Sequence, residues 1–134
     1  MENFERAYFA GIVDGEGTVS LMKHHANELP SPVVAVASNS LELLEWVKRR
    51  AGGTIVSKKK RLSHHQPSFA WSVRFNKAIQ LLEDIRPFLI IKRPQADLII
   101  GHYKSATHRA GKYDASMRRN KLQLVAEIRR LNHR

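Results

Sequence analysis

Two acidic residues near the start of the chain are the side chains best suited to catalysis or metal binding. Asp14 and Glu16 end residues 9–17, where an apolar helical run passes into a glycine-acid-glycine turn. A carboxylate at a helix C-terminus is unfavourable, because that end carries a partial negative charge. The acids therefore indicate a cation or another compensating partner. The ordinary alternative is a core helix with a glycine C-cap.

The helix that positions these acids is predicted to run over residues 4–15, capped by Asn3 or Glu2. At about 100° per residue, its larger apolar side chains fall on one broad side, which predicts packing into a core. These side chains are Phe4, Tyr8, Phe9, Ile12 and Val13. The opposite side is nearly bare, so another backbone could approach it closely. This bare side comprises Ala7, Ala10, Gly11, Asp14 and Gly15.

The rest of the chain predicts strand pairs separated by helices. Alternating apolar residues indicate strands at residues 18–23, 33–37, 54–61 and 68–75, with Phe69, Trp71, Val73 and Phe75 facing inward in the last. A capping box of Asn39 and Glu42 opens the helix after the second strand. This order predicts an α+β fold, αββαββα, with a four-stranded antiparallel saddle-shaped sheet and helices on one face.

Further helices complete the predicted fold. Asn76 is expected to cap a helix that ends before Pro87, and another is expected from residue 95 to about 106. A basic linker at residues 108–113 precedes an amphipathic helix at residues 115–131. The prediction is one domain, with a core at residues 1–106 and the linker and last helix at 107–134.

Composition limits the classes of partner. The 134 residues carry 23 Lys and Arg against 12 Asp and Glu, a net charge of +11. This charge predicts a polyanionic partner, nucleic acid ahead of a membrane surface, although some proteins are simply soluble and basic. No cysteine is present, which excludes disulfides and thiolate metal sites. No membrane span or signal-peptide pattern is seen, so we expect a cytoplasmic or organellar protein with no membrane partner and no small-molecule substrate.

The outward positions of the predicted strands are small, polar or basic, as on a surface that meets an anionic partner. A twisted antiparallel ribbon can enter the DNA major groove, where lysines and arginines contact phosphates. The candidate DNA contacts are Ser20, Met22, His24, Val33, Ala35, Val56, Lys58, Lys60, Ser68, Ala70, Ser72 and Arg74. A shift of one residue after Gly53 would exchange Val56, Lys58 and Lys60 for Ser57 and Lys59.

Residues 9–17 resemble the motif that names the LAGLIDADG homing endonucleases. Ala10, Gly11 and Asp14 are identical to it, and residues 15–17 stand for its terminal Ala-Asp-Gly. Residues 81–96 are similar to the family's segment of helix, Pro-aromatic-Leu, Lys and Gln-Ala. The resemblance covers roughly residues 4 to 105. It implies an endonuclease that binds a long, partly palindromic DNA duplex in the major groove and cleaves both strands.

A single motif copy predicts a homodimer, because the bare helix face suits a two-fold interface in which one patch meets itself. Two Glu16 carboxylates brought together would both ionise only around a bridging cation, and such oxygen ligands select Mg²⁺ or Mn²⁺. The resemblance implies this metal-binding and catalytic role for Glu16, although many members have Asp at that position. The alternative is a solvated glutamate in a turn.

The resemblance also suggests roles for three other residues. It places Lys92 near the scissile phosphates, where the alternative is an ordinary exposed lysine. It places a polar residue that positions water at Ser38 or Asn39, and we favour Ser38 because Asn39 is predicted to cap a helix. Asp14 is expected at the dimer seam, satisfying backbone or partner donors.

Rival functions remain open. A protein of the same fold without cleavage would be an RNA maturase or a DNA-binding regulator, and an accidental motif match would leave a basic RNA-binding structural protein. The histidine pairs 24–25 and 64–65 would suggest zinc. However, adjacent histidines in a strand or turn point to opposite sides and no cysteine assists, so loop contacts to DNA are favoured.

Overall fold

The architecture is seen in a computed structural model, which describes residues 1–23, 25–58, 67–103 and 115–133. A 3₁₀ turn, Arg86–Phe88, precedes α4, and a π-helical turn, Ile99–Tyr103, follows it. In chain order the helices and strands are α1 (Asn3–Glu16), β1 (Gly17–Met22), β2 (Ser31–Ser38), α2 (Leu41–Ala51), β3 (Thr54–Lys58), β4 (Ser68–Arg74), α3 (Phe75–Ile85), α4 (Arg93–Leu98) and α5 (Ala115–Asn132).

The four strands form one antiparallel sheet in the order β1-β2-β4-β3. Its register places Trp71 opposite Val36 on one side and opposite Ile55 on the other. Residues directly opposite one another share a face of the sheet. The predicted αββαββα order and the α+β class are therefore confirmed.

The core lies between this sheet and the helices. Phe9 of α1 is fully buried, with its ring 5.8 Å from that of Trp71 and 6.0 Å from that of Trp46. Burying each such aromatic side chain contributes about 3 kcal/mol through the hydrophobic effect. The last helix shares this core through Leu124, Val125 and Ile128. None of the helices in the described ranges is both long and apolar enough to cross a membrane.

Glycine is required where α2 turns into β3. Gly53 has a φ of +89°, and a Cβ there would lie 2.4 Å from the carbonyl oxygen of Ser72. The preceding carbonyl, of Gly52, accepts the indole N–H of Trp71 at 2.7 Å. The predicted glycine stop is therefore also the point where β4 approaches most closely.

The predicted helix starts are wrong at two places. Ser40, not Asn39, caps α2, because the Ser40 hydroxyl accepts the Leu43 N–H at 3.2 Å. Phe75 does not extend β4 inward. It opens α3 with a φ of +58° and is 52% exposed, so Arg74 rather than Asn76 occupies the cap position.

Two other boundaries also differ from the prediction. β2 begins at Ser31, because Pro32 still pairs with Leu21 of the edge strand β1. The helix predicted from residue 95 is regular only to Leu98 and then widens into the π-helical turn. Its predicted end at residues 104–106 and the linker at residues 108–113 lie outside the described residues.

Candidate catalytic and nucleic-acid-binding site

The acid-bearing end of α1 passes directly into the sheet. Glu16 is the last residue of the helix and Gly17 the first of β1. A Cβ on Gly17 would lie 2.9 Å from the Cα of Val13 and 3.1 Å from the carbonyl oxygen of Ala35. Only glycine fits this junction without a shift of the backbone, which fixes Glu16 at the sheet.

Asp14 is bound within its own chain to the segment that precedes α4. Its carboxylate accepts three backbone N–H groups, from Ile90 at 2.8 Å, Ile91 at 3.1 Å and Lys92 at 2.9 Å. These donors offset the unfavourable position of an acid at a helix C-terminus. The compensating partner that the sequence demanded for Asp14 is therefore a loop of the same subunit.

Lys92 lies beside the edge strand of the sheet. Its backbone is held by Asp14, and its side chain lines a groove together with Thr18, Lys23 and Arg129. Thr18 is two residues from Glu16 along the chain. The structure thus brings the predicted lysine and the predicted acid to the same edge, joined through Asp14.

Glu16 itself is exposed and unpaired. Within the described part of the chain, no hydrogen bond or ion pair reaches its carboxylate. An anionic side chain at the negative end of a helix, without a donor, is suited to bind a cation.

The sheet face opposite the helices, termed the open face, carries most of the candidate DNA contacts. One row across all four strands consists of the small residues Thr18, Ala35, Ser72 and Thr54. The parity of β3 follows from its pairing with β4, since Val56 lies opposite Ala70 and Lys58 opposite Ser68. Val56 and Lys58 therefore share this face as predicted, and the alternative set of Ser57 and Lys59 does not apply.

Several predicted contacts do not fit this face. Ser20 and Val33 have the correct parity but are only 9% and 4% exposed, so Val33 in particular is not available to a partner. Alternation fixes which face a residue points to, not whether another element covers it. Ser38 lies opposite Phe69, on the helix side, and its hydroxyl accepts the Ser40 N–H at 3.0 Å. The structure does not bring Ser38 to Glu16 on the open face.

Other predicted residues stand as follows. Met22 is 49% exposed and Arg74 is exposed, both on the open face. His24, Lys60 and the pair at 64–65 lie outside the described residues. Thr18 and Thr54 are exposed open-face residues that the prediction missed, although alternation from Ser20 and Val56 would have found them.

The faces of α1 differ from those predicted. Ala10 is fully buried, whereas Phe4 and Tyr8 are 71% and 55% exposed. The exposed residues form a helical stripe about 100° wide, here called the α1 stripe. It consists of Phe4, Ala7, Tyr8, Gly11 and Gly15. A Cβ on Gly11 or Gly15 would meet nothing within 4 Å, so packing within the chain does not require either glycine.

Solved structures with this arrangement of helices and strands are homing endonucleases. The homing endonuclease I-CvuI, in complex with its target in the presence of 2 mM Ca, superposes with a TM-score of 0.70 over 96% of this chain and 82% of its own, at 19% identity. The LAGLIDADG homing endonuclease I-GzeII, in complex with a DNA target, gives a TM-score of 0.66 over 90% of this chain and 43% of its own, at 18% identity. The fold is that of the LAGLIDADG homing endonucleases.

The LAGLIDADG fold also accounts for the whole chain. The archaeal intron-encoded homing endonuclease I-Vdi141I, complexed with DNA, matches 100% of both chains with a TM-score of 0.55 and 19% identity. No protein-family sequence model matches the chain, and no curated protein matches it. The resemblance drawn from residues 9–17 is therefore confirmed by fold.

A LAGLIDADG fold implies a divalent metal, and the donor set of this chain allows a shared site. The described residues hold no cluster of three or more histidines and acids that could bind a metal alone. Mg²⁺ usually keeps several waters and binds through one or two carboxylates together with substrate phosphates. The single exposed Glu16 carboxylate fits that pattern if a second subunit and DNA complete the site.

Proposed function

We propose that this protein is a site-specific double-strand DNA endonuclease that acts as a homodimer with a divalent metal, Mg²⁺ or Mn²⁺. The observation that carries the proposal is the bond from Asp14 to the Lys92 backbone. It ties the end of α1 that presents Glu16 to a lysine at the edge of the open face. An acid and a lysine held beside a duplex-binding surface are the groups that phosphodiester hydrolysis needs.

DNA is the proposed substrate because shape and charge agree. The chain carries a net charge of +11, and the row Thr18, Ala35, Ser72 and Thr54 offers small side chains that let a duplex approach. Lys58 and Arg74 stand on the same face as candidate contacts to phosphate or guanine. I-CvuI, I-Vdi141I and I-GzeII, which share the fold, are each complexed with DNA.

Homodimerisation is supported by the α1 stripe. Phe4 and Tyr8 expose apolar side chains beside Gly11 and Gly15, whose open space would let a second helix approach closely. A two-fold interface repeats the same contact from both subunits and places the two α1 C-termini together. The chain also spans 43% of I-GzeII but all of I-Vdi141I, which suits a unit that supplies half of a two-fold site.

Each residue of the proposed site has a separate task. Glu16 from each subunit would hold the metal, which when bound makes water nucleophilic and neutralises charge on the phosphate oxygens. The Lys92 ammonium stabilises the negative charge that develops on the attacked phosphate. Asp14 keeps the Lys92 backbone in place and takes no part in proton transfer. Exposed groups of the open face hold the duplex and set the register of cleavage.

Selection of cleaved sequences from a randomised duplex pool with Mg²⁺ tests the proposed function. The expected result is enrichment of one partly palindromic site, cut on both strands. Binding of a duplex without cleavage under Mg²⁺ or Mn²⁺ would overturn the endonuclease proposal in favour of a DNA-binding regulator. Preference for single-stranded RNA over any duplex would instead favour a maturase-type RNA-binding protein.

A further inference from the structure

The last helix completes a basic groove at the edge of the sheet. This groove, termed the β1–α5 groove, has a volume of about 580 Å³. Lys92 and Thr18 line it from the proposed catalytic side, and Arg129 and His133 line it from the C-terminal segment. Residues 107–134 lie beyond the region that carries the sequence motifs, so the sequence assigned no site residue to them.

The end of α5 is fixed to β1 by a pair of buried amides. The Asn132 side-chain N–H donates to the carbonyl oxygen of Val19 at 3.1 Å, and its Oδ1 accepts the side-chain N–H of Gln95 at 3.0 Å. Gln95 is 2% exposed and belongs to α4, which follows Lys92. The last turn of α5 is thereby held to the edge strand and to α4 at once.

The charge of the β1–α5 groove has one sign. Lys23, Lys92 and Arg129 are its cations, and none of its described lining residues is acidic. Among the residues that the structure describes, none forms an ion pair with Arg129. Three uncompensated cations at one edge favour a polyanion over any neutral ligand. The spacing of charges along a DNA backbone meets this requirement.

We propose that Arg129 binds a backbone phosphate of the DNA duplex in the β1–α5 groove, next to the phosphate served by Lys92. This inference rests on the proposed function and extends it to a residue outside the motif-bearing region. A guanidinium can donate two parallel hydrogen bonds to a phosphate. Because Asn132 and Gln95 hold the helix end, Arg129 reaches the groove from a rigid element, and little entropy is lost when it binds.

The neighbouring Arg130 provides a matched control. It lies about 100° further round the helix, is 66% exposed and forms an i,i+3 ion pair of 3.7 Å with Glu127. It does not line the groove. The variants Arg129→Gln and Arg130→Gln therefore remove the same charge from the same helix turn, and only one of them removes it from the groove.

The test is a titration of the full chain with a fluorescent mixed-sequence DNA duplex at several KCl concentrations, read by anisotropy. We expect Arg129→Gln to raise the Kd roughly tenfold, the effect of losing one charge-assisted hydrogen bond. The slope of log K against log salt should also fall by about one. Arg130→Gln should leave both quantities close to wild type, and Arg129→Lys should restore the salt slope.

The outcomes separate this inference from the function on which it rests. Wild-type binding with equal effects of Arg129→Gln and Arg130→Gln would overturn the role of Arg129 and leave the nuclease proposal intact. Failure of the wild-type chain to bind any duplex would overturn both. Thermal unfolding of each variant checks that the fold is intact, and both exposed substitutions should leave the Tm unchanged.

Discussion

The carboxylate of Asp14 accepts the backbone N–H of Lys92 at 2.9 Å, although 78 positions separate the two residues along the chain. This contact closes the fold around the proposed site. It joins the C-terminal end of the helix that ends at Glu16 to the segment that leads into α4. The catalytic roles of Glu16 and Lys92 both depend on it, because it sets the distance between their backbones.

Asp14→Asn should lower stability and cleavage together. Three N–H donors would face a neutral amide with one oxygen in place of a carboxylate with two, so we expect a loss of about 2 to 4 kcal/mol in the free energy of unfolding. Urea denaturation measures it. Cleavage should fall further than duplex binding, since Lys92 would lose its fixed position.

Asp97→Asn is the control for this substitution. Asp97 also accepts a donor from a distant residue, Arg86, but the pair is nearly half exposed. An exposed pair of this kind contributes about 1 kcal/mol or less. Equal losses from Asp14→Asn and Asp97→Asn would show that the Asp14 contacts have no special role in the fold.

Glu5→Gln should change stability in a manner that depends on pH. The backbone N–H of Glu2 and then the Arg50 guanidinium, at 2.8 Å, hold the pKa of the Glu5 carboxyl below its ordinary value of 4.5. A lowered folded-state pKa gives stability that is present above the unfolded-state pKa and is lost as pH falls through the folded-state pKa.

Unfolding of wild type and Glu5→Gln should therefore differ at neutral pH and converge in acid below pH 4.5. In an Arg50→Gln background the pH-dependent difference should shrink and persist, because the Glu2 N–H remains. A difference that is constant from neutral pH into acid would contradict the assignment.

Gly11→Leu should produce a folded monomer. The Cβ position of Gly11 is open within the chain, so a larger side chain is accommodated in the subunit but would occupy the space proposed for a second α1. Light scattering after gel filtration measures the mass. Gly101→Leu, also at an open Cβ position, should remain dimeric. A dimer that tolerates Gly11→Leu would remove the α1 stripe from the interface.

The sequence predicted the sheet well because alternation is a local signal. Phe69, Trp71 and Val73 identify the core side of β4, and pairing then fixes the parity of Val56 and Lys58. The same reasoning failed at Phe75, where the periodicity of α3 takes over. Strand alternation cannot show where a positive φ ends the strand.

The site was predicted less completely because its contacts are long-range. A helical wheel cannot distinguish apolar residues that face a core from those that face a partner, so Phe4 and Tyr8 were assigned to the wrong side. The pattern around Asp14 demanded a partner but could not identify the residue 90–92 amides. The place of Arg129 depends on the hydrogen bond from Asn132 to Val19, which no local signal reveals.

The most direct test of the central claim is cleavage by Glu16→Gln of the duplex selected with the wild-type protein, measured in Mg²⁺ beside its affinity for the same duplex. The account predicts an unchanged Kd and no detectable cleavage, with cleavage retained in Glu16→Asp, since a shorter carboxylate still binds the metal. Cleavage by Glu16→Gln at the wild-type rate would contradict the account, because it would leave the acid at the end of α1 without a catalytic role.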